Sequence, residues 1–146
     1  MLDHPTGPDM LEAVARLLRD TLIPQLPPAV VFQARVAANA VDLVAREIRL
    51  GAHAQDQAQR RLQTLLGHGG SLATLESALC TGLRQGEIAT DAPGLQDHLW
   101  ATTLAKLAID QPTYAPYRHA LAQRAADSVT DLAATTTTTT TTHPKE

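Results

Sequence analysis

The strongest pattern in the chain runs from about Val30 to Leu50, VVFQARVAANAVDLVAREIRL. Apolar residues recur at Phe32, Val36, Ala40 and Leu43, and again at Ala34, Ala37, Val41, Val44 and Ile48. These are helical i, i+3, i+4, i+7 spacings in two overlapping sets, and together they cover most of the circumference. What remains is a polar strip: Arg35, Asn39, Asp42, Arg46 and Arg49. Pro27-Pro28 opens this helix and Gly51 closes it. A helix so apolar is expected inside a bundle, with neighbours on two or more sides. Burying its large aliphatics would contribute on the order of 10–20 kcal/mol gross. Ala34, Ala37, Ala38 and Ala40 allow a neighbouring helix to come close, and Asp42 and Arg46 have the spacing of an i,i+4 ion pair.

The flanking segments read in the same way. Thr6 and Asp9 have capping-box spacing, and Met10, Leu11, Val14, Leu17, Leu18 and Leu22 then line one face of a helix that ends before Pro24. Pro24 to Pro28 is a stiff connector. Gly51 and His53 predict a turn, followed by a third helix from Ala54 to Leu66 with Ala58, Leu62, Leu65 and Leu66 inside. Gly67-His68-Gly69-Gly70 is a loop. With no strand before it and no Gly-Lys-Ser/Thr after it, it is not a nucleotide loop. Ser71 caps a fourth helix carrying Leu72, Leu75, Leu79 and Leu83 on one side. Gly86 ends it, and Ile88 anchors the connector that follows. A fifth helix runs from Gly94 to about Gln111 and stops at Pro112; a last one runs from Arg118 to about Leu132. From Ala133 onward the chain is a threonine-rich tail with nothing to bury, and disorder is expected there. The prediction is an all-α fold: a compact bundle of five to six helices in one domain, 1–132, with a low-complexity tail, 133–146.

Composition narrows the class. A chain of 146 residues, 44% of them hydrophobic, can bury a real core. No continuous apolar run approaches the ~20 residues that span a bilayer. The start, MLDHPTGPD, shows neither a basic n-region nor an apolar h-region, so no secretory signal is expected. The single cysteine, Cys80, cannot form an internal disulfide and is read as a buried, inert thiol in a reducing compartment; the cytoplasm is the expected location. A net charge of −3 and only four aromatics, Phe32, Trp100, Tyr114 and Tyr117, speak against nucleic acid as a partner.

Chemistry is sparse. His4, His53, His68, His98, His119 and His143 form no metal-ligand spacing, and each is read as a surface or loop residue, so neither a metal nor another cofactor is expected. Gly-x-Ser-x-Gly and kinase motifs are absent, and no catalytic residue is assigned. One combination stands out. On the fifth helix, Lys106 and Asp110 are the only formal charges between His98 and Gln111. If that helix lies beside the central one, Arg35, Asn39, Lys106 and Asp110 meet in a semi-buried cluster. Such a cluster either fixes helix register or receives an organic anion on Arg35 and Lys106, oriented by Asn39 and Asp110. Glu47 is a weaker candidate for the same network.

Three segments, PTGPDMLEAV, FQARVAANAVDLVAREIRLG and TTLAKLAIDQPTYAPYR, resemble an uncharacterised bacterial family of small helical proteins. The resemblance spans about Pro5 to Arg118. Its members are encoded beside, or named together with, aminoglycoside-phosphotransferase-like kinases and acyl-CoA dehydrogenases. It implies a cytoplasmic accessory role in acyl-CoA or hydroxy-acid catabolism, as partner of the kinase or the dehydrogenase, and it supplies no catalytic residue. The expectation is a non-enzymatic helical interaction protein, its contact around Tyr114 and Tyr117 or the leucines of the last helix. The alternative is a small-molecule domain, for an organic anion or acyl-CoA, built on the Arg/Asn/Lys/Asp cluster. Self-association is a third option.

Overall fold

The computed structural model describes the backbone of residues 4–137 and the side chains of residues 4–126. Among these residues there are five α-helices and no strand, the all-α class that the periodicity predicts. They are α1 Gly7–Leu17, α2 Pro28–Leu66, α3 Leu72–Gln85, α4 Leu95–Asp110 and α5 Ala115–Thr137. Two compact units follow one another, Met1–Asp110 and Gln111–Glu146.

Thr6 caps α1 as its spacing suggests. Its hydroxyl accepts from the Asp9 backbone N–H, and the Asp9 carboxylate accepts from the Thr6 N–H at 2.9 Å. Beyond Leu17 the coil continues, first as a wide π turn, Leu18–Leu22, then as a tight 3-10 turn, Ile23–Gln25. The wide turn presents Arg19 to α2, where it pairs with Asp42 at 2.6 Å and donates to Asn39 Oδ1 at 2.8 Å.

The expected turn at Gly51 does not form. The central and third helices are one helix of 39 residues, closed by Gly67 in the left-handed conformation (φ 73°). Gly51 lacks a positive φ and continues the coil; a glycine inside a helix costs about 1 kcal/mol relative to alanine but does not break it. Two sets of neighbours divide α2 between them. Its N-terminal part meets α1 at alanines, with Ala15, Ala38 and Ala45 fully buried. Its C-terminal part packs on α3 and α4 around Leu62, Leu75, Leu79 and Leu95. Ser71 and Gly86 cap α3 as read from the sequence, and Ile88 lies over Gly82, where a Cβ would stand 2.7 Å from Ile88 Cδ1.

Two expectations about burial fail. The aliphatics of α2 were to be inside a bundle, yet Phe32 is 73% exposed, Ile48 56% and Val36 50%, because α3 and α4 reach only the other half of the helix. Cys80 is exposed, not buried. By length and composition alone α2 is long and apolar enough to cross a membrane, with an 18-residue window of mean hydropathy 1.2.

In the second unit, α5 continues past Leu132 and takes in the first threonines of the tail, to Thr137. Residues 138–146 of the expected disordered tail lie outside the described residues.

Candidate functional site

The four residues singled out from the sequence do not meet in a semi-buried cluster; all four are exposed. Arg35 and Asn39 line a shallow, open groove with Arg19, Ile23, Pro24, Leu26 and Val31. Lys106 lines a different cleft, and Asp110 ends α4. The reason is an axial offset. Arg46 Nε donates to the Ile109 carbonyl at 2.5 Å, which fixes where α4 ends along α2. Arg35 is eleven residues earlier, roughly 16 Å further along the axis, where α4 no longer runs beside it. The predicted Asp42–Arg46 pair is absent for the same geometry: Asp42 belongs to Arg19, and Arg46 to the α4 terminus.

Along one seam, α1 and α2 are tied by charge. Besides Arg19–Asp42, Arg49 bridges Asp9, at 2.7 Å, and Glu12. The Thr6 hydroxyl and backbone N–H, and secondarily Arg49, hold the Asp9 carboxyl below its ordinary value. Glu12 above all raises Arg49. All three of these ion pairs belong to this seam.

The cleft that takes Lys106 is the better-built candidate. It lies between α2, α3 and α4 and encloses about 300 Å3. Small and aliphatic walls come from Ala54, Ala58, Leu72, Ala105 and Ile109; Glu47, Gln55, Arg61, Glu76, Thr102 and Lys106 supply its polar groups. Gly51 lies in the wall, and a Cβ there would stand 2.6 Å from Glu47 Oε1, so the missing side chain is what lets that carboxylate fold over the helix. At the other end, Arg61 Nη2 reaches Thr102 Oγ1 at 3.5 Å, and its Nε is buried with no partner.

Behind Arg61 sits His98, 5% exposed, its Nδ1 also without a partner. Burial first, and repulsion from Arg61 second, push His98 below its ordinary value, against a smaller opposing pull from Glu76. It is therefore neutral at pH 7 and adds no third positive charge. The sequence pattern assigns Arg61 no role and reads His98 as a surface or loop residue. The available signal was position: Arg61 is three residues after buried Ala58, and His98 three after buried Leu95.

No curated protein and no solved structure matches the chain. A family profile does, over residues 24–114, from the 3-10 turn that precedes α2 to the start of the second unit. With more than half of its length matched, the chain belongs to the DUF6285 family, a domain of unknown function.

Proposed function

We propose that this chain is a cytoplasmic, non-enzymatic accessory protein that docks onto a protein partner through the apolar face of α2 and the adjoining side of α1. One observation carries the reading. Val30, Phe32, Val36, Leu43, Val44, Ile48 and Leu50 of α2 leave large fractions of their side chains in water, as do Met10, Val14 and Leu17 of α1. Summed, α2 alone offers on the order of 600 Å2 of apolar surface, more than most monomers expose and close to the ~800 Å2 that each side of a standard interface buries. The α1–α2 charges are collected on the opposite seam and satisfied there, so the open face carries no paired charge that docking would have to strip of water. Its occupant is an apolar helical surface of a folded protein. The sequence resemblance supplies two candidates, a phosphotransferase-like kinase and an acyl-CoA dehydrogenase, and so a role in acyl-CoA or hydroxy-acid catabolism.

The face is also apolar enough to meet lipid, but Arg35, Asn39 and Arg46 run along the same helix and Asp42 ties it to Arg19. A bilayer would have to accommodate that whole strip, whereas a protein partner covers one side only. Co-expression with each candidate enzyme, followed by sedimentation at micromolar concentration, tests the assignment. A stoichiometric complex is expected, lost in Phe32→Asp/Val44→Asp. Three results would overturn it: no complex with either enzyme, a homodimer that excludes both, or co-flotation with lipid vesicles instead.

A further inference from the structure

The cleft between α2, α3 and α4 has features that docking through the α1–α2 face does not use. Its charged groups are balanced, two cations (Arg61, Lys106) and two anions (Glu47, Glu76), and none of them is in an ion pair among the described residues. The two ends differ in the charge they offer. At one end, the Arg61 guanidinium lines the cleft with its Nη2 beside the Thr102 hydroxyl, while its Nε is buried without a partner. At the other, the exposed Glu47 carboxylate lies over Gly51, in no ion pair among the described residues, where a ligand cation can reach it. Between them the walls are Ala54, Ala58 and Ala105, which leave room for a narrow aliphatic chain and offer it no polar partner.

From this placement of opposite charges we propose that the cleft binds a linear zwitterion, an ω-amino carboxylate, with its carboxylate on Arg61 and Thr102 and its ammonium on Glu47. Charge balance selects this class. A simple carboxylate leaves Glu47 unanswered and a simple amine leaves Arg61 so; a dianion such as a phosphate ester could use Arg61 and Lys106 but leaves both carboxylates, Glu47 and Glu76, unanswered. Length selects within the class. Gly51, which marks the Glu47 carboxylate, and Arg61 are ten residues apart, roughly 15 Å along α2. The arginine side chain leans back toward the helix N-terminus and shortens the gap to on the order of 10 Å, which a flexible ω-amino acid of up to six carbons can bridge.

The test is calorimetry and thermal melting of the full chain with 6-aminohexanoate, hexanoate and hexylamine at matched millimolar concentrations. The zwitterion is expected to bind saturably and raise the melting temperature, because it binds the folded state only. Each single-charge analogue should bind at least about tenfold more weakly. In Arg61→Gln the zwitterion should lose its advantage over hexylamine. In Glu47→Gln it should lose its advantage over hexanoate. Arg61 lies against buried His98 and its variant could misfold. Glu47 is exposed, and its variant decides the matter alone. No binding of 6-aminohexanoate, equal binding of hexanoate, or undiminished zwitterion binding to Glu47→Gln each overturns the assignment. None of these results depends on whether the α1–α2 face docks a protein.

Discussion

Glu47 folds over Gly51 so closely that a side-chain carbon at Gly51 would stand 2.6 Å from Glu47 Oε1. Two effects of Gly51→Ala therefore oppose each other. Alanine in a helix interior is favoured by about 1 kcal/mol, partly through the unfolded chain. Against this, the clash falls on the far end of an exposed, flexible side chain, which can swing into water at small cost. The gain wins, and Gly51→Ala should be more stable by roughly 0.5–1 kcal/mol, read as a higher urea midpoint at unchanged slope. The same substitution evicts the carboxylate from the cleft, so 6-aminohexanoate binding should fall as stability rises. A stabilised variant with undiminished binding would remove Glu47 from the site.

That pair also shows what a sequence can and cannot carry. The helix caps at Thr6, Ser71 and Gly86 were legible, because capping depends on residues within one turn of each other. Gly51 was not: the same residue type ends a helix when φ turns positive and continues it when φ does not. The helical wheel put Arg35 and Asn39 on one strip of α2 but could not supply the axial offset from α4, which the Arg46–Ile109 contact sets. The double apolar pattern of α2 was real, yet periodicity says only that a face wants cover. It does not say that α3 and α4 stop halfway along.

His98 gives the fold a dependence on pH near neutrality. Its value is lowered from 6.5 in the folded state by burial and by Arg61. Between that lowered value and 6.5 the unfolded chain binds more protons, so stability rises with pH there. The contribution is complete above 6.5 and is lost as pH falls through the interval. His98→Leu, close in size and with no unpartnered nitrogen to bury, should be at least as stable at pH 7 and should lose less between pH 7 and pH 5. Denaturant titrations at several pH values measure this; parallel curves for the two proteins would rule it out.

Asp9 acts in a separate, more acidic window. Its carboxyl is held below 3.8, mainly by the Thr6 hydroxyl and backbone, so the cap's contribution is present above that value and disappears as pH falls through the lowered one. Thr6→Val removes the hydroxyl that both accepts from the Asp9 N–H and donates to its carboxylate. It should cost about 1 kcal/mol at pH 7, and less at pH 2, where the carboxylate is protonated in both proteins. Circular dichroism melts at the two pH values give the difference. An equal cost at both would mean that the carboxylate has no share in the cap.

The ion pairs of the α1–α2 seam should matter less than their number suggests. Arg19, Arg49 and their acidic partners keep a quarter or more of their side chains in water. Pairs so exposed typically contribute only 0.2–1 kcal/mol and weaken with salt. Arg49→Ala should therefore lower the melting temperature only slightly, with the difference shrinking in molar salt. A larger, salt-independent loss would show that the arginine stem, packed along α1, is the part that stabilises the hairpin.

Leucines and valines in this chain should separate into two classes by what covers them. Leu62 is fully buried between α2, α3 and α4 with Leu75, Leu79 and Leu95 around it, so Leu62→Ala loses both transfer energy and packing, about 2–5 kcal/mol. Phe32, larger but 73% exposed, loses almost nothing on folding, and Phe32→Ser should stay within about 0.5 kcal/mol of the parent. If the face around Phe32 is covered only in a complex, that serine variant should keep its melting temperature alone and lose the shift that the partner produces. Melts of both variants, with and without partner, make the distinction. A Phe32→Ser protein that is strongly destabilised by itself would mean the face is already covered within the isolated chain, and the docking surface would have to lie elsewhere.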